Sequence, residues 1–414
     1  MTKCMKIWTA LGVAVLAGSS AADAGMLQTL RPVEGAHIIL VDGEGGGEGG
    51  GADAAVTYAL QSTDAKAYQY DAKPQIDAYA ELVHRSYQKS VADAGLLETA
   101  VDALLAAPSV ETLHDARQAW IAARPAYLHT EAFRFYNGPI DRLESEVNAW
   151  PLNEAYIDYV QGKPDAGIVN DPNVKFDVDY LESVNQKQDE ADVTIGWHAV
   201  EFLLWGQDVS VDGPGNRPFT DYVAGQGNND RRRDYLKLVT SQLVKELEEL
   251  EEDWDAAKPK SYAAEFKSFP QREAVGRIIN GMAILAGYEF MSERLGVALD
   301  SGDQEDEQSC FSDTTKQDFV HDLVGIKAVW TEARISELVA TQDPALAKRV
   351  DSLFADAESK VKLLGDPWDK VLASAKDSAA RKDAEAVVVA LQSLADGLKD
   401  VGNRLGVLVL IPTD

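Results

Sequence analysis

The segment Gly196-Trp197-His198-Ala199-Val200-Glu201-Phe202-Leu203-Leu204-Trp205-Gly206-Gln207-Asp208 is apolar on nearly every side of a helix, yet carries an imidazole and a carboxylate three positions apart. Residues i and i+3 share a helical face, so His198 and Glu201 reach toward one point. Trp197, Val200, Phe202, Leu203, Leu204 and Trp205 cover the rest of the circumference, the pattern of a helix buried all round. Two polar groups in that setting need partners, because an unpaired buried carboxylate is costly. A metal ion, a cationic side chain or a polar network would each serve.

Outward from this segment the periodicity stays helical. Tyr79, Leu82, Val83 and Tyr87 fall at helical spacing, with Leu96 to Leu105 following. Ser109 is placed to cap a long segment running through Trp120 and Tyr127 toward Phe135. Asn137-Gly138-Pro139 breaks the chain, and 140–146 restarts a short helix. Long helices are expected over 231–254, 272–299, 317–339, 344–364 and 384–408. Period-two strand signals are nearly absent after residue 53. The expected fold is all-α, with two helical-bundle domains at 54–260 and 261–414 joined by short loops. Trp-x-x-Ala-Arg occurs twice, at 120–124 and 330–334, each in an expected long helix, which suggests pseudo-symmetry.

The chain has 414 residues and a formal charge of −29 at pH 7. That charge argues against nucleic-acid binding, which needs a basic face, and opposes binding to an anionic membrane surface. Lys3 and Lys6, the apolar run from Ile7 to Gly18 and Ala22-Asp23-Ala24 read as a signal peptide over 1–24. Residues 25–53 read as a flexible linker, with a short strand at 37–41 before the glycine tract at 43–51. The mature chain would keep Cys310 as its one cysteine, hence no internal disulfide. Export without disulfides fits a bacterial periplasm. The mature chain contains no stretch that reads as a transmembrane span.

Three clusters carry candidate chemistry. His198 and Glu201 suit zinc, iron or manganese, although two ligands are too few and no His-Glu-x-x-His is present. By spacing alone, a satisfied core pair competes with a metal site. Glu131 and Arg134, at i and i+3 among aromatic residues, read either as a partly buried ion pair or as a third ligand with its holder. Glu289 and Glu293 share a face at i and i+4 on an α-helix. A ferritin-like diiron bundle needs a Glu-x-x-His on each of two helices, and this chain has one His-x-x-Glu in the reverse order. The acidic run 303–307 lacks the spacing of an EF-hand loop.

Together these segments resemble the imelysin family, also called peptidase family M75 and including iron-regulated protein A. The likeness rests on Gly196-x-His198-x-x-Glu201 with its continuation to Asp208, on Gly215-Asn216-Arg217-Pro218, on 130–141 and 148–152, and on Ser309-Cys310-Phe311-Ser312-Asp313. It implies two helical bundles with pseudo-symmetry, export to the periplasm or envelope, and a role in iron uptake or iron binding. The partners it implies are a metal ion or iron-containing ligand and envelope iron-uptake proteins, and the cofactor is iron or another divalent metal. Gly196, His198 and Glu201 carry over as signature positions. Glu131 is then the expected third metal ligand, with Arg134 and Asp141 supporting the site. The family's peptidase label gives the alternative, a metallopeptidase using the His-x-x-Glu motif. The glycine tract, and Cys4 standing before the apolar run, depart from lipid-anchored relatives.

Overall fold

The computed structural model describes residues 69–412. The expected signal peptide, the linker with its strand at 37–41, and residues 54–68 lie outside the described residues. Within the described residues the chain is helical, and the one β feature is an isolated bridge between Val160 and Lys163.

Helix α1 (Lys73–Ala106) starts with Pro74 in its first turn, where the missing N–H would have had no helical partner. Its buried side chains Ile76, Tyr79, Val83, Tyr87 and Leu97 form one apolar stripe. The two segments expected at 79–87 and 96–105 are therefore one helix. Helix α2 (Val110–Leu128) opens with a capping box: Ser109 Oγ accepts from the Thr112 N–H at 3.1 Å, and Thr112 Oγ1 accepts from the Ser109 N–H at 3.0 Å. It stops short of the expected Phe135, because the chain tightens into a 3-10 turn, Glu131–Phe133, and then takes left-handed conformations at Phe135 and Asn137.

Helices α3 (Pro139–Val147), α4 (Glu154–Ile157) and α5 (Val178–Val184) lead through an irregular stretch to α6 (Gly196–Trp205). Then come α7 (Asn229–Asp253), α8 (Tyr262–Phe266) and α9 (Gln271–Ile284). Helix α9 continues as a π-helical run, Leu285–Gly296, and as α10 (Val297–Ser301). The last third is α11 (Thr315–Thr331), α12 (Ile335–Gln342), α13 (Pro344–Val361), α14 (Trp368–Leu372) and α15 (Ala379–Leu405).

The helix expected over 317–339 is split, since Arg334 takes a left-handed conformation at φ 61° and restarts the chain as α12. This also limits the internal echo. Trp120 and Trp330 are both buried and donate from Nε1, to the Trp197 carbonyl at 3.1 Å and to Asp351 Oδ1 at 2.7 Å. Arg124, however, is buried within α2, whereas Arg334 lies beyond α11 and pairs with Glu337 at the surface.

Helix α1 packs on α2 and α7, and α15 packs on α13, α9 and the π-helical run. Contacts of α9 with α1 and of α11 with α2 make the apolar core continuous from one group to the other. Helix α6 lies against α2, α3 and α7, and all ten of its residues are buried. Burying side chains such as Trp197, Phe202 and Leu203 contributes about 2 kcal/mol each. The helix on which the site depends is therefore among the most firmly held parts of the fold.

Candidate functional site

Gly196 starts α6 with φ +88°, a conformation that L side chains rarely adopt, and a Cβ there would lie 2.6 Å from the carbonyl oxygens of Glu146 and Val147. Glycine thus lets the start of α6 press against the end of α3. The other end of α6 is closed by side chains. Arg117 donates to the carbonyl oxygens of Leu204 (3.0 Å) and Arg217 (2.9 Å), and the Tyr222 hydroxyl donates to that of Leu203.

Inside this clamp, His198 Nδ1 lies 2.8 Å from Glu201 Oε2, and His198 Nε2 lies 3.2 Å from Arg124 Nη2. A guanidinium only donates, so Nε2 accepts and the ring proton sits on Nδ1, donating to Glu201. Burial, with Arg124 and Arg294 adding to it, lowers the His198 pKa well below the usual range and keeps the ring neutral. The second Glu201 oxygen accepts from the Ser312 N–H (2.9 Å) and the Ser312 hydroxyl (2.7 Å). Burial pushes the Glu201 carboxyl up to about 8, against the bonds from Ser312.

Arg124 has an unusual setting for a buried cation. Its guanidinium lies 5.5 to 5.8 Å from the ring centroids of Trp120, Tyr127 and Trp197. It donates to Asn148 Oδ1 at 2.5 Å, and Asp318 is 3.7 Å away. Aromatic faces thus supply much of the compensation that a carboxylate would otherwise give. Gln308, assigned with its amide oxygen toward the donors, accepts from Arg124 at 3.2 Å and Arg294 at 3.3 Å. That amide links the His198–Glu201 unit to a second cluster.

The second cluster is centred on Glu131. One of its oxygens accepts from Arg134 at 2.6 Å and from Arg294. Arg294 also donates to Asp322 at 2.8 Å and Glu289 at 3.1 Å. Burial opposes ionisation of Glu131, but Arg134 and Arg294 outweigh it and hold its pKa at about 2. A Cβ on Gly281 of α9 would lie 2.5 Å from the Ala132 carbonyl oxygen, so glycine there admits the turn that carries Glu131. The π-helical winding, with its i to i+5 spacing, sets Glu289 beside Arg294 on one side. This differs from the expected α-helical face shared by Glu289 and Glu293.

Of the expected site residues, His198 and Glu201 are brought together and Gly196 positions them. Glu131 is not gathered with them around one point: among the described residues, the groups of three or more candidate ligands are Glu146–Glu182–Glu246 and Asp208–Asp313–Asp369. Arg134 holds Glu131 as the i, i+3 spacing indicated. Asp141 acts on the backbone, accepting from the N–H groups of Phe135 (2.7 Å), Tyr136 (3.1 Å) and Gly138 (2.8 Å), and so fixes the turn after Glu131. Sequence reasoning missed Arg124, Arg294, Gln308 and Ser312 as members of the network. An arginine one helical turn from Trp120 and Tyr127, on a helix with a buried aromatic face, was the available signal for Arg124.

In donor chemistry, imidazole and carboxylate suit iron or zinc. In geometry, Arg124 occupies the direction of the Nε2 lone pair and Nδ1 serves Glu201, so a cation at His198 requires Arg124 to withdraw. As arranged, the unit holds a neutral ring whose Nδ1 proton is donated to Glu201, and it ties α6 to the 308–318 segment.

The fold is an all-α bundle whose buried helix carries Gly-x-His-x-x-Glu. The imelysin (peptidase M75) profile matches residues 83–398, and the chain belongs to the imelysin family. It is 23% identical over 328 residues to iron-regulated protein A of Synechococcus elongatus, covering 75% of this chain and 81% of that protein. Two crystal structures share the fold. One, described as an iron-regulated protein A precursor from Parabacteroides distasonis, has a TM-score of 0.62 at 18% identity over 81% of this chain and 95% of that one. The other, an imelysin-like protein from Psychrobacter arcticus, has a TM-score of 0.62 at 14% identity over 83% and 99%.

Proposed function

We propose that this chain is an exported, iron-associated binding protein of the periplasm or envelope, and that His198 and Glu201 form the unit through which iron, free or chelated, is held. One observation carries this reading. The signature imidazole and carboxylate meet in a sealed network that spans from α6 to Ser312, Gln308 and Asp318, so a change at His198 alters how distant segments of the chain are held together. Kinship with a protein named iron-regulated protein A supports the iron assignment. Among the described residues, no helix is long and apolar enough to cross a membrane, which is compatible with export. Iron at His198 requires Arg124 to withdraw from the free ring nitrogen, and the metallopeptidase alternative, with a metal-bound water as nucleophile, requires in addition an open coordination position.

The test is metal analysis of natively purified protein. His198→Ala is expected to lose most of the retained iron. Arg124→Met, which removes the competing cation, is expected to retain iron at or above the wild-type level. Iron content unchanged by His198→Ala would overturn the assignment.

A further inference from the structure

A third polar cluster lies past the C-terminal end of α6, next along the chain from Ser312 of the His198 network. Asp208 comes from the loop after α6, Asp313 from the segment before α11, and Asp369 from α14. Each places a carboxylate oxygen within 4.8 Å of the others. Asp369 is 1% exposed, and neither of its oxygens receives a hydrogen bond. Asp208 Oδ2 and Asp313 Oδ1 are likewise buried without a donor. Glu307, also 1% exposed, lies against Asp369. The neighbouring Lys370 turns outward to Asp212 at 3.5 Å.

An acidic cluster alone is ordinary. Here a carboxylate that is 1% exposed sets an oxygen among those of Asp208 and Asp313, lies against Glu307 and meets no donor at either oxygen, the arrangement that a cation would complete. The donors are all hard oxygens, with no imidazole or thiolate among them, which disfavours zinc and copper. Four carboxylates can offer up to eight oxygens in a flexible arrangement, as calcium takes, whereas magnesium demands an octahedron and keeps most of its water. Asp313 is partly exposed, which leaves a way in. We propose that Asp208, Asp313, Asp369 and Glu307 form a calcium site that ties the loop after α6 to the segment before α11 and to α14. This site is independent of the reading given to His198 and Glu201.

The test uses the mature chain, stripped with chelator and titrated with calcium by calorimetry, and with terbium as a luminescent probe sensitised by the adjacent Trp368. The wild type is expected to bind about one calcium per chain more tightly than about 1 mM, to gain thermal stability with calcium, and to release terbium as calcium is added. Asp369→Asn is expected to lose all three responses. Asp313→Asn, at the more exposed position, is expected to weaken binding at least tenfold and serves should Asp369→Asn not fold. His198→Ala is expected to bind calcium as the wild type does, whatever its iron content. Absence of calcium and terbium binding by the wild type at 1 mM would mean that the carboxyls share protons instead, and would overturn the proposal. Binding that survives both Asp369→Asn and Asp313→Asn would overturn it equally.

Discussion

Two of the regions in which this protein buries carboxylates treat them in opposite ways. Around Glu131 and Asp322 the chain supplies its own cations: Arg134 and Arg294 donate directly, and Arg124 sits between aromatic faces one amide away. Around Asp208, Asp313 and Asp369 no donor reaches the buried oxygens of Asp369. In the first region burial makes each guanidinium indispensable. In the second it brings like charges together, and the fold tolerates that only with retained protons or a bound ion. The difference separates polar groups that lock the fold from polar groups that await something.

The widest test of the contrast is removal of the central cation. Arg294→Met strips Glu131, Asp322 and Glu289 of a shared partner and is expected to destabilise the protein by about 3–5 kcal/mol, since an uncompensated buried charge remains. Urea unfolding followed by circular dichroism measures it. A loss under about 1 kcal/mol would mean that these carboxylates take up protons freely, erasing the distinction between the regions. Next in size is Gly196→Ala, which forces a side chain into a left-handed position and against two carbonyl oxygens. A destabilisation of about 2 kcal/mol or more is expected, because the start of α6 must shift; urea unfolding measures it, and a loss under about 1 kcal/mol would contradict it.

Acid sharpens the comparison further. The folded-state pKa of Glu131, about 2, lies below its unfolded value of about 4.3. Its contribution is therefore complete above the unfolded value and is lost as pH falls from about 5 toward 2. Glu131→Gln is expected to be the less stable protein at neutral pH but to show a shallower loss of stability over that window. Unfolding midpoints measured from pH 6 to 3 test this, and parallel curves for the two proteins would contradict it.

Much of this was legible in sequence where the informative residues are close together. The all-round burial of α6 follows from its apolar run, and the shared face of His198 and Glu201 and the Glu131–Arg134 pair follow from i, i+3 spacing. What could not be read is contributed from far along the chain. Arg294 reaches Glu131 across 163 positions, and Ser312 reaches Glu201 across 111. Spacing holds no record of such encounters. Arg124 drew notice as half of a repeated Trp-x-x-Ala-Arg, whose second arginine proves to be a surface residue. Asp208 and Asp313 each lie in segments that carry the family likeness, but Asp369 sits on a five-residue helix that the periodicity does not reveal. The expectation that Glu131 would complete a site with His198 failed to anticipate guanidiniums, because a carboxylate in an aromatic setting looks the same whether a metal or an arginine is to meet it.

The smallest effect discriminates best, because its sign is reversed. In chelator, Asp369→Asn removes one of several crowded negative charges and lets an amide donate to a neighbouring carboxylate. At the 4.8 Å within which these oxygens lie and an effective dielectric of about 20, the repulsion per charged pair is about 3.5 kcal/mol, most of which the native protein escapes by retaining protons. A net stabilisation of about 1 kcal/mol is therefore expected for metal-free Asp369→Asn, opposite in direction to the loss for Glu131→Gln. With calcium present the order inverts: the wild type gains stability through binding and the variant does not. Thermal unfolding of both proteins in chelator and in calcium gives the four values needed. If Asp369→Asn is destabilised equally in both conditions, Asp369 is an ordinary packing residue whose oxygens find water, and the two regions differ less than their geometry indicates.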